Sequence, residues 1–332
     1  MTAEARLKPY AMPVIAGALS AVLYSTVALM PLFLVPIQFS GARKGHRAMV
    51  ASSASSAVVI AIWQFALLAR AGVVSVGTLA IGVLAPIAMI VALAGMASPR
   101  LGRLSFAPRA LLGAAAASAL SLPSIFAAIK EPSVRAMFIE AFEKTGDAIG
   151  AAGLDPELLW TALKTGVASS YGAVMFLFLF LSAWMGSRLG AGRKAVDVPA
   201  VEAPEADAGR GIASPPSSLS SYKVPDYLVW ALLASWAGLL ANRFFPSLVL
   251  SAVALNAALA LSICYGVQGI AVAGALAERV GLAPALRFLG PIALILLLAS
   301  GVAGLIAVGF LALLGTLETW IPFRAVTKGD TP

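Results

Sequence analysis

The chain has one cysteine and one histidine in 332 residues. A disulfide needs two cysteines, and zinc or copper sites usually combine several cysteine and histidine ligands. Cys264 and His46 alone therefore exclude a disulfide within the chain and argue against a metal site and redox chemistry. We expect no cofactor.

Charged residues are also scarce, at 11% of the chain against roughly 25% in a soluble domain. Hydrophobic residues make up 60% and form runs of about 18 residues or more, the length that crosses a hydrocarbon layer as a helix. The chain is therefore predicted to lie in the lipid bilayer. No signal-peptide cleavage pattern precedes the first run, which we expect to remain as an anchor.

Ionisable side chains are missing from the centres of these runs. Proton relays, ion-coupled transporters and voltage sensors place such groups within the membrane. Paired carboxylates and His-assisted nucleophiles need them as well. The pattern predicts that the protein is not an enzyme. The chain also lacks a P-loop, so ATP-driven transport would require a separate ATPase.

The runs predict an all-α, polytopic bundle of eight transmembrane spans. Pro31 and Pro36 interrupt "MPLFLVPIQF" after the first run, so residues 12–42 form either one long span or a broken hairpin. A hairpin raises the count to nine. The spans are expected near residues 12–29, 48–68, 73–96, 107–129, 165–185, 227–241, 247–275 and 289–314.

Basic residues predict the orientation, because Lys and Arg in short loops stay on the cytoplasmic side. The net charge of +8 comes from short clusters between spans rather than a basic stripe, so no nucleic-acid partner is expected. We place the clusters "GARKGHR", "RLGRLSFAPR" and "SRLGAGRK" inside a bacterial plasma (inner) membrane. Counting spans from them puts the acidic segment 131–157 and the C-terminus outside. The N-terminus lies inside only if the hairpin forms.

Two stretches fall outside the spans. Residues 190–225, rich in Pro, Ala, Ser and Gly, predict a flexible cytoplasmic linker between membrane parts 1–189 and 226–332. Residues 131–160 contain an amphipathic helix and then a helix start, with Asp155 as N-cap and Pro156 at the first position. The amphipathic helix either rests on the headgroups or forms a lid over an outward-facing cavity.

Neutral polar residues within the spans are the candidate site. Each has two interpretations, interhelical packing or the lining of a neutral polar cavity. An unpaired amide in hydrocarbon costs several kcal/mol, so Asn256 must face protein or a water-filled cavity. Tyr265 and Gln268 share one helical face. The candidates are Ser52, Ser53, Gln64, Asn256, Tyr265 and Gln268.

Two further groups are candidates for docking and anchoring. Gly17 and Ala21 form a small-residue pair that suits close approach of another helix of this chain or of a partner subunit. At the end of the last run, Glu318, Trp320 and Arg324 predict either an interfacial anchor or a clasp to another element.

Three stretches carry a resemblance to a known family. "PLFLVPIQFSGARKGHRAMVASSAS", "GVQGIAVAGALAER" and "LGTLETWIPFR" resemble the YybS-like family of predicted membrane proteins of unknown function. That family is in turn distantly similar to the substrate-binding membrane subunits of energy-coupling-factor transporters and to the cell-shape protein MreD. The form "PIQFSGARKG" and the long linker depart from the usual family pattern.

The resemblance leaves three functions open. The first is a subunit that binds or transports a small neutral solute, with Asn256, Tyr265 and Gln268 in the cavity. The second is a non-catalytic scaffold of the cell envelope, with a filled bundle and a membrane-protein partner. The third is a lipid-handling membrane protein.

Overall fold

The structure is a computed structural model. It describes residues 3–72, 74–149, 155–191, 219–282, 290 and 300–324, and within these residues every regular element is helical. The all-α prediction is therefore confirmed. The chain divides into two compact units, Met1–Pro215 and Pro216–Pro332. The boundary between them falls within the predicted linker 190–225, of which residues 192–218 lie outside the described residues.

The first unit has seven described helices. A 3₁₀ turn, Val27–Leu32, separates the first two, and another, Pro99–Leu101, precedes the fifth. The helices are α1 (Ala3–Ser25), α2 (Val35–Lys44), α3 (His46–Ala71), α4 (Val76–Met96), α5 (Phe106–Ile129), α6 (Pro132–Ile149) and α7 (Pro156–Ala191).

The second unit has three described helices after a 3₁₀ turn at Leu219–Ser221. They are α8 (Leu228–Phe244), α9 (Leu248–Arg279) and α10 (Val302–Leu317).

Local sequence explains where several helices begin and end. Gly72 has φ +67°, the left-handed conformation that favours glycine, and it closes α3. Ser75 and Thr78 form a capping box that begins α4. Before α7, the Asp155 carboxylate accepts a hydrogen bond from the Glu157 N–H at 2.9 Å, which confirms the predicted N-cap.

The N-terminal segment is broken rather than continuous. Gly17 of α1 lies against Ser52 of α3, and the Ser20 and Ser56 hydroxyls are 2.9 Å apart, so the two helices run in the same direction. Residues 27–44 must therefore run in the opposite direction, from the end of α1 back to the start of α3. Because Pro31 and Pro36 cannot donate backbone hydrogen bonds, a break at this position follows from the sequence. Of the two alternatives for residues 12–42, the structure has the hairpin.

Close contacts bring the three basic clusters to one end of the first unit. A Cβ added at Gly190 would lie 2.6 Å from the Ala42 Cβ, which joins the ends of α2 and α7. The rings of Phe106 and Trp184 are 6.1 Å apart, so the start of α5 lies at the same end. The Arg188 guanidinium lies 4.8 Å from the Trp184 ring centroid. The fold thus places the three basic clusters together at one end of the first unit.

Five described helices are long and apolar enough to cross a membrane: His46–Ala71, Val76–Met96, Phe106–Ile129, Ser169–Gly190 and Leu248–Arg279. Three shorter apolar helices, Ala11–Ser25, Leu228–Phe244 and Val302–Leu317, coincide with other predicted spans. The prediction of a multi-pass helical membrane protein is confirmed. Length and composition alone do not establish the predicted count of eight.

The predicted span 289–314 is wrong as one continuous helix. Residues 300–301 form a turn, Gly301 has φ +63°, and α10 begins at Val302. A left-handed residue cannot continue a right-handed helix. Most of the preceding stretch, residues 283–289 and 291–299, lies outside the described residues.

The relative sides predicted for the linker and the C-terminal end also need correction. The Arg324 guanidinium donates a hydrogen bond to the Tyr222 carbonyl at 3.0 Å. Tyr222 lies at the end of the predicted linker, and a hydrocarbon layer of about 30 Å would separate opposite sides of a membrane. The linker end and residue 324 therefore lie on the same side.

Candidate functional site

A crevice of about 800 Å³ opens in the first unit. Residues 61–66 of α3 form one wall, residues 76–87 of α4 the second, and residues 124–131 at the end of α5 the third. The lining side chains are apolar except for Ser124 and Glu131. This surface suits hydrocarbon far better than a polar solute.

Small side chains make the room in the crevice. Ala61, Ala66 and Ala127 contribute no more than a methyl group each at positions where larger residues would fill the space. The rim is exposed, with Ile62 65% and Val76 82% accessible. The crevice is therefore open along this apolar rim.

The wall formed by α4 is irregular. Ala80–Leu84 form a π-helical turn, and the Ala85 N–H bonds the Ala80 carbonyl five residues back. Pro86 follows. Because proline has no backbone N–H, it cannot donate the usual helical hydrogen bond to the Gly82 carbonyl. The Tyr24 hydroxyl donates to that carbonyl at 3.3 Å. Single π turns recur at functional sites in helices.

Gln64 is the sequence candidate that lies nearest the crevice. A Cβ added at Gly82 would be 3.4 Å from the Gln64 Oε1, which places this amide beside the π turn. The residues before and after it, Trp63 and Phe65, are exposed. Gln64 thus adds a neutral polar group next to an otherwise apolar wall.

Glu131 lies where the crevice meets the start of α4. Its Oε2 accepts a hydrogen bond from the Ser75 hydroxyl at 2.7 Å and from the Ser133 hydroxyl at 3.5 Å. A Cβ at Gly77 would lie 2.7 Å from the Glu131 Cδ, so only glycine leaves room for this carboxylate. The positive end of the α4 dipole favours a negative group here.

Ser52 and Ser53 lie at the contact between α3 and its neighbours, away from the crevice. The Ser52 hydroxyl donates to the Ala48 carbonyl of its own helix at 2.9 Å. The Ser53 hydroxyl is buried and has no hydrogen-bond partner among the described residues. Neither residue lines the crevice.

Gly17 and Ala21 pack within the chain. A Cβ at Gly17 would lie 2.6 Å from the Ser52 carbonyl oxygen, and Ala21 is buried. Helix α3 therefore occupies this face. A partner subunit could not dock there without displacing α3.

Gln268 connects three segments of the second unit. Its Oε1 accepts from the Val224 N–H at 2.7 Å, and its Nε2 donates to the Gly315 carbonyl at 3.0 Å. The side chain is fully buried. Both ends of the amide are thus occupied by backbone groups, and neither is directed at a cavity.

Helices α9 and α10 cross in unusually close contact beside Gln268. A Cβ at Gly269 would lie 2.7 Å from the Leu311 carbonyl carbon, and one at Gly315 would lie 2.9 Å from the Tyr265 carbonyl carbon. Such distances are below van der Waals contact. The two glycines allow the backbones to approach, and this approach brings the Gly315 carbonyl within reach of Gln268.

The aromatic residues around this crossing are buried. Tyr265 is fully buried, as are Tyr222 and Cys264. Burial raises the pKa of the Tyr222 hydroxyl well above its usual range, and the adjacent Cys264 thiol raises it further. The phenol is uncharged at neutral pH with or without this shift, and its burial fits a packing role.

Asn256 is half-buried in α9, and its Nδ2 donates to the Ala252 carbonyl of the same helix at 2.8 Å. It lies 12 residues, about three turns, before Gln268. The structure thus does not bring Asn256, Tyr265 and Gln268 together around one cavity.

The last described residues form a clasp. The Arg324 guanidinium makes a bidentate ion pair with Glu318, at 2.5 Å to Oε1 and 2.7 Å to Oε2, while it also holds the Tyr222 carbonyl. Glu318 is buried. Trp320 is 56% exposed and takes no part in this pairing. Of the two predicted roles, the geometry matches a clasp for Glu318 and Arg324, and an interfacial position of Trp320 stays a prediction.

The amphipathic helix α6 packs against α7. Val134 and Trp160 are buried, and the Phe138 and Trp160 rings are 5.2 Å apart. An exposed ion pair joins Arg135 to Glu157. The described part of α6 contributes no residue to the crevice lining, and its role as a lid over an outward-facing cavity stays a prediction.

The crevice was not predicted from the amino-acid sequence. Its walls are apolar, so the sequence predicts ordinary transmembrane spans there. Glu131 is one of several acidic residues that follow a span, and nothing in the sequence distinguishes it from the others. Pro86 within the run 73–96 was a usable signal, because an internal proline disturbs a helix. Among the described residues, no group of three or more His, Cys, Asp or Glu could hold a metal ion.

Comparison with known families matches part of the chain to a described family of membrane proteins. The family described as "Predicted membrane protein (DUF2232)" matches residues 212–313, about a third of the chain, including α8, α9 and most of α10. This supports the resemblance to a YybS-like family of uncharacterised membrane proteins. No curated protein and no solved structure matches the chain. Similarity to energy-coupling-factor subunits or to MreD is not supported by these comparisons.

Proposed function

We propose that this protein is a non-catalytic integral membrane protein that binds a small, largely apolar molecule in the crevice between α3, α4 and α5. The apolar lining of a space of about 800 Å³ is the observation that carries the proposal. Binding sites for small molecules are typically concave, mostly apolar and supplied with a few polar groups. Gln64 and Glu131 are those groups here.

The crevice favours one of the functions that the sequence left open. A neutral polar solute would need the amides and hydroxyls that were predicted to line its cavity, and Gln268 is already bonded to two backbone groups. A scaffold with a filled bundle would have no use for the crevice. A lipid-handling or lipid-like-solute-binding role fits an apolar space that opens toward acyl chains.

Transport of the bound molecule would add a partner to this proposal. If the bound molecule is transported at the expense of ATP, a separate ATPase must hydrolyse the ATP, since the chain has no P-loop. A membrane-protein partner would have to use a face other than that of Gly17 and Ala21, which α3 covers.

The proposed location is the bacterial plasma (inner) membrane. The basic end of the first unit is placed in the cytoplasm, and the end that carries Ser75 and Glu131 is placed outside, by the rule that Lys and Arg stay inside. The proposed traverses of the first unit are its four long apolar helices, the shorter helix Ala11–Ser25 and the returning segment 27–44. If the linker is cytoplasmic, residue 324 is cytoplasmic too, because it bonds Tyr222.

Photolabelling tests the proposal. The protein is reconstituted into phosphatidylcholine nanodiscs and exposed to a long-chain alcohol that carries a diazirine in its tail. We expect the labelled peptides to come from residues 61–66, 76–87 and 124–131. Ala127→Phe, which adds a ring to the crevice wall, should reduce this labelling about tenfold.

Ala116→Phe provides the matched control. Ala116 lies on the same helix, is exposed and does not line the crevice, so its labelling should equal that of the wild type. Labelling spread evenly over all lipid-facing helices, with no effect of Ala127→Phe, would overturn the proposed function.

A further inference from the structure

We infer that the molecule bound in the crevice carries a cationic head group, such as a protonated amine, and that the Glu131 carboxylate receives it. This inference rests on the proposed function and specifies the chemical class of the ligand. The head group would lie at the end of the crevice near Ser75, with the apolar tail between α3 and α4.

The hydrogen bonds of Glu131 leave one oxygen available. The described hydrogen bonds from Ser75 and Ser133 both go to Oε2. Within the described chain, Oε1 has no hydrogen-bond partner. It lies beside Gly77, 2.9 Å from the place that a Cβ there would take. A donor group at the end of the crevice could therefore bond Oε1 without breaking an existing hydrogen bond.

Glu131 also forms no ion pair within the described residues. The ion pairs they form join Arg135 to Glu157, Lys144 to Glu140, Lys223 to Asp226 and Arg324 to Glu318. None of them includes Glu131. A carboxylate is acceptor-only when ionised, so a cationic donor is the complementary partner.

The surroundings of Glu131 favour a ligand that is apolar at one end and charged at the other. Glu131 lies just after α5 ends at Ile129, at the level where a helix leaves the hydrocarbon. The lining between Ala61 and Ile87 is apolar. An amphiphile could bury its tail there and keep its cation at the carboxylate, where a charge-assisted hydrogen bond is stronger than a neutral one.

Three photoprobes with the same diazirine-bearing tail test the inference: an alkyl amine, the corresponding alcohol and the corresponding carboxylate. They are compared on the full-length protein in phosphatidylcholine nanodiscs at pH 7. On the wild type we expect the amine to label the crevice peptides about tenfold more strongly than the alcohol, and the carboxylate to label them least.

Glu131→Gln should bring amine labelling down to the level of the alcohol while leaving alcohol labelling unchanged. Unchanged alcohol labelling shows that the crevice is intact in the variant. Glu143→Gln is the matched control, because Glu143 is an exposed glutamate of α6 outside the crevice. It should keep the tenfold preference for the amine.

Equal labelling of the wild type by amine and alcohol would overturn the inference and leave the proposed function standing. A preference for the amine that persists in Glu131→Gln would also overturn it. If no probe labels the crevice of the wild type, the proposed function itself fails. The wild-type comparison decides the matter even if Glu131→Gln does not fold.

Discussion

Replacing Gln268 by leucine tests whether this amide is structural. Leucine is similar in size but offers neither of the two hydrogen bonds, at 2.7 Å from the Val224 N–H and 3.0 Å to the Gly315 carbonyl. Each buried backbone group left without a partner costs about 1–3 kcal/mol. The variant should therefore lose at least about 2 kcal/mol in the stability of the second unit.

Cys264 provides the assay, because it is the chain's single cysteine and is fully buried one helical turn from Gln268. A thiol-specific maleimide can react only after this region opens. When reclosing is fast, the labelling rate follows the opening equilibrium. A loss of about 2 kcal/mol corresponds to roughly 30-fold faster labelling, since about 1.4 kcal/mol is a factor of ten.

Thr316→Val is the control for this experiment. The Thr316 hydroxyl donates only to the Ala312 carbonyl of its own helix, at 2.7 Å, and this carbonyl keeps its place in the helical hydrogen-bond pattern. Labelling should change by less than about threefold. If Gln268→Leu labels no faster than Thr316→Val, the assignment of Gln268 as a structural bridge is refuted.

Two further predictions concern the second unit and the topology. Gly315→Ala should accelerate Cys264 labelling at least tenfold, because the new methyl group meets the Tyr265 backbone. Gly266→Ala should not accelerate it, since a Cβ there has no neighbour within 4 Å; equal effects would refute the close crossing. In a Cys264→Ser background, Lys223→Cys and Pro322→Cys should react with an impermeant maleimide from the same side of the membrane. Labelling from opposite sides would contradict the Arg324–Tyr222 contact.

Much of the secondary structure was predictable, because it depends on neighbouring residues. The long apolar runs gave α3, α5 and α9, and Asp155 with Pro156 marked the start of α7. Pro31 and Pro36 allowed the hairpin after α1 to be predicted as one of two alternatives. The one span placed wrongly as continuous, 289–314, contains Gly301, whose left-handed φ is not apparent in a Gly-rich apolar run.

The partners of the candidate polar residues were not predictable from spacing. Gln268 bonds Val224 and Gly315, which are 44 and 47 residues away. Whether a buried amide faces backbone or a cavity depends on which segment lies opposite, and periodicity along one helix does not contain that information. For the same reason, the sequence showed that Gly17 suits the close approach of another helix, but it did not show that this helix is α3.

The sequence by itself determined the environment of this protein and the absence of Asp, Glu, Lys and Arg from the centres of its spans, because both depend on composition along the chain. Only the tertiary structure decided where an empty space lies and which carboxylate borders it. The crevice forms where Ala61, Ala80 and Ala127 from three separate helices face one another. A cavity is defined by the side chains that surround it, and these are brought together only when the helices pack.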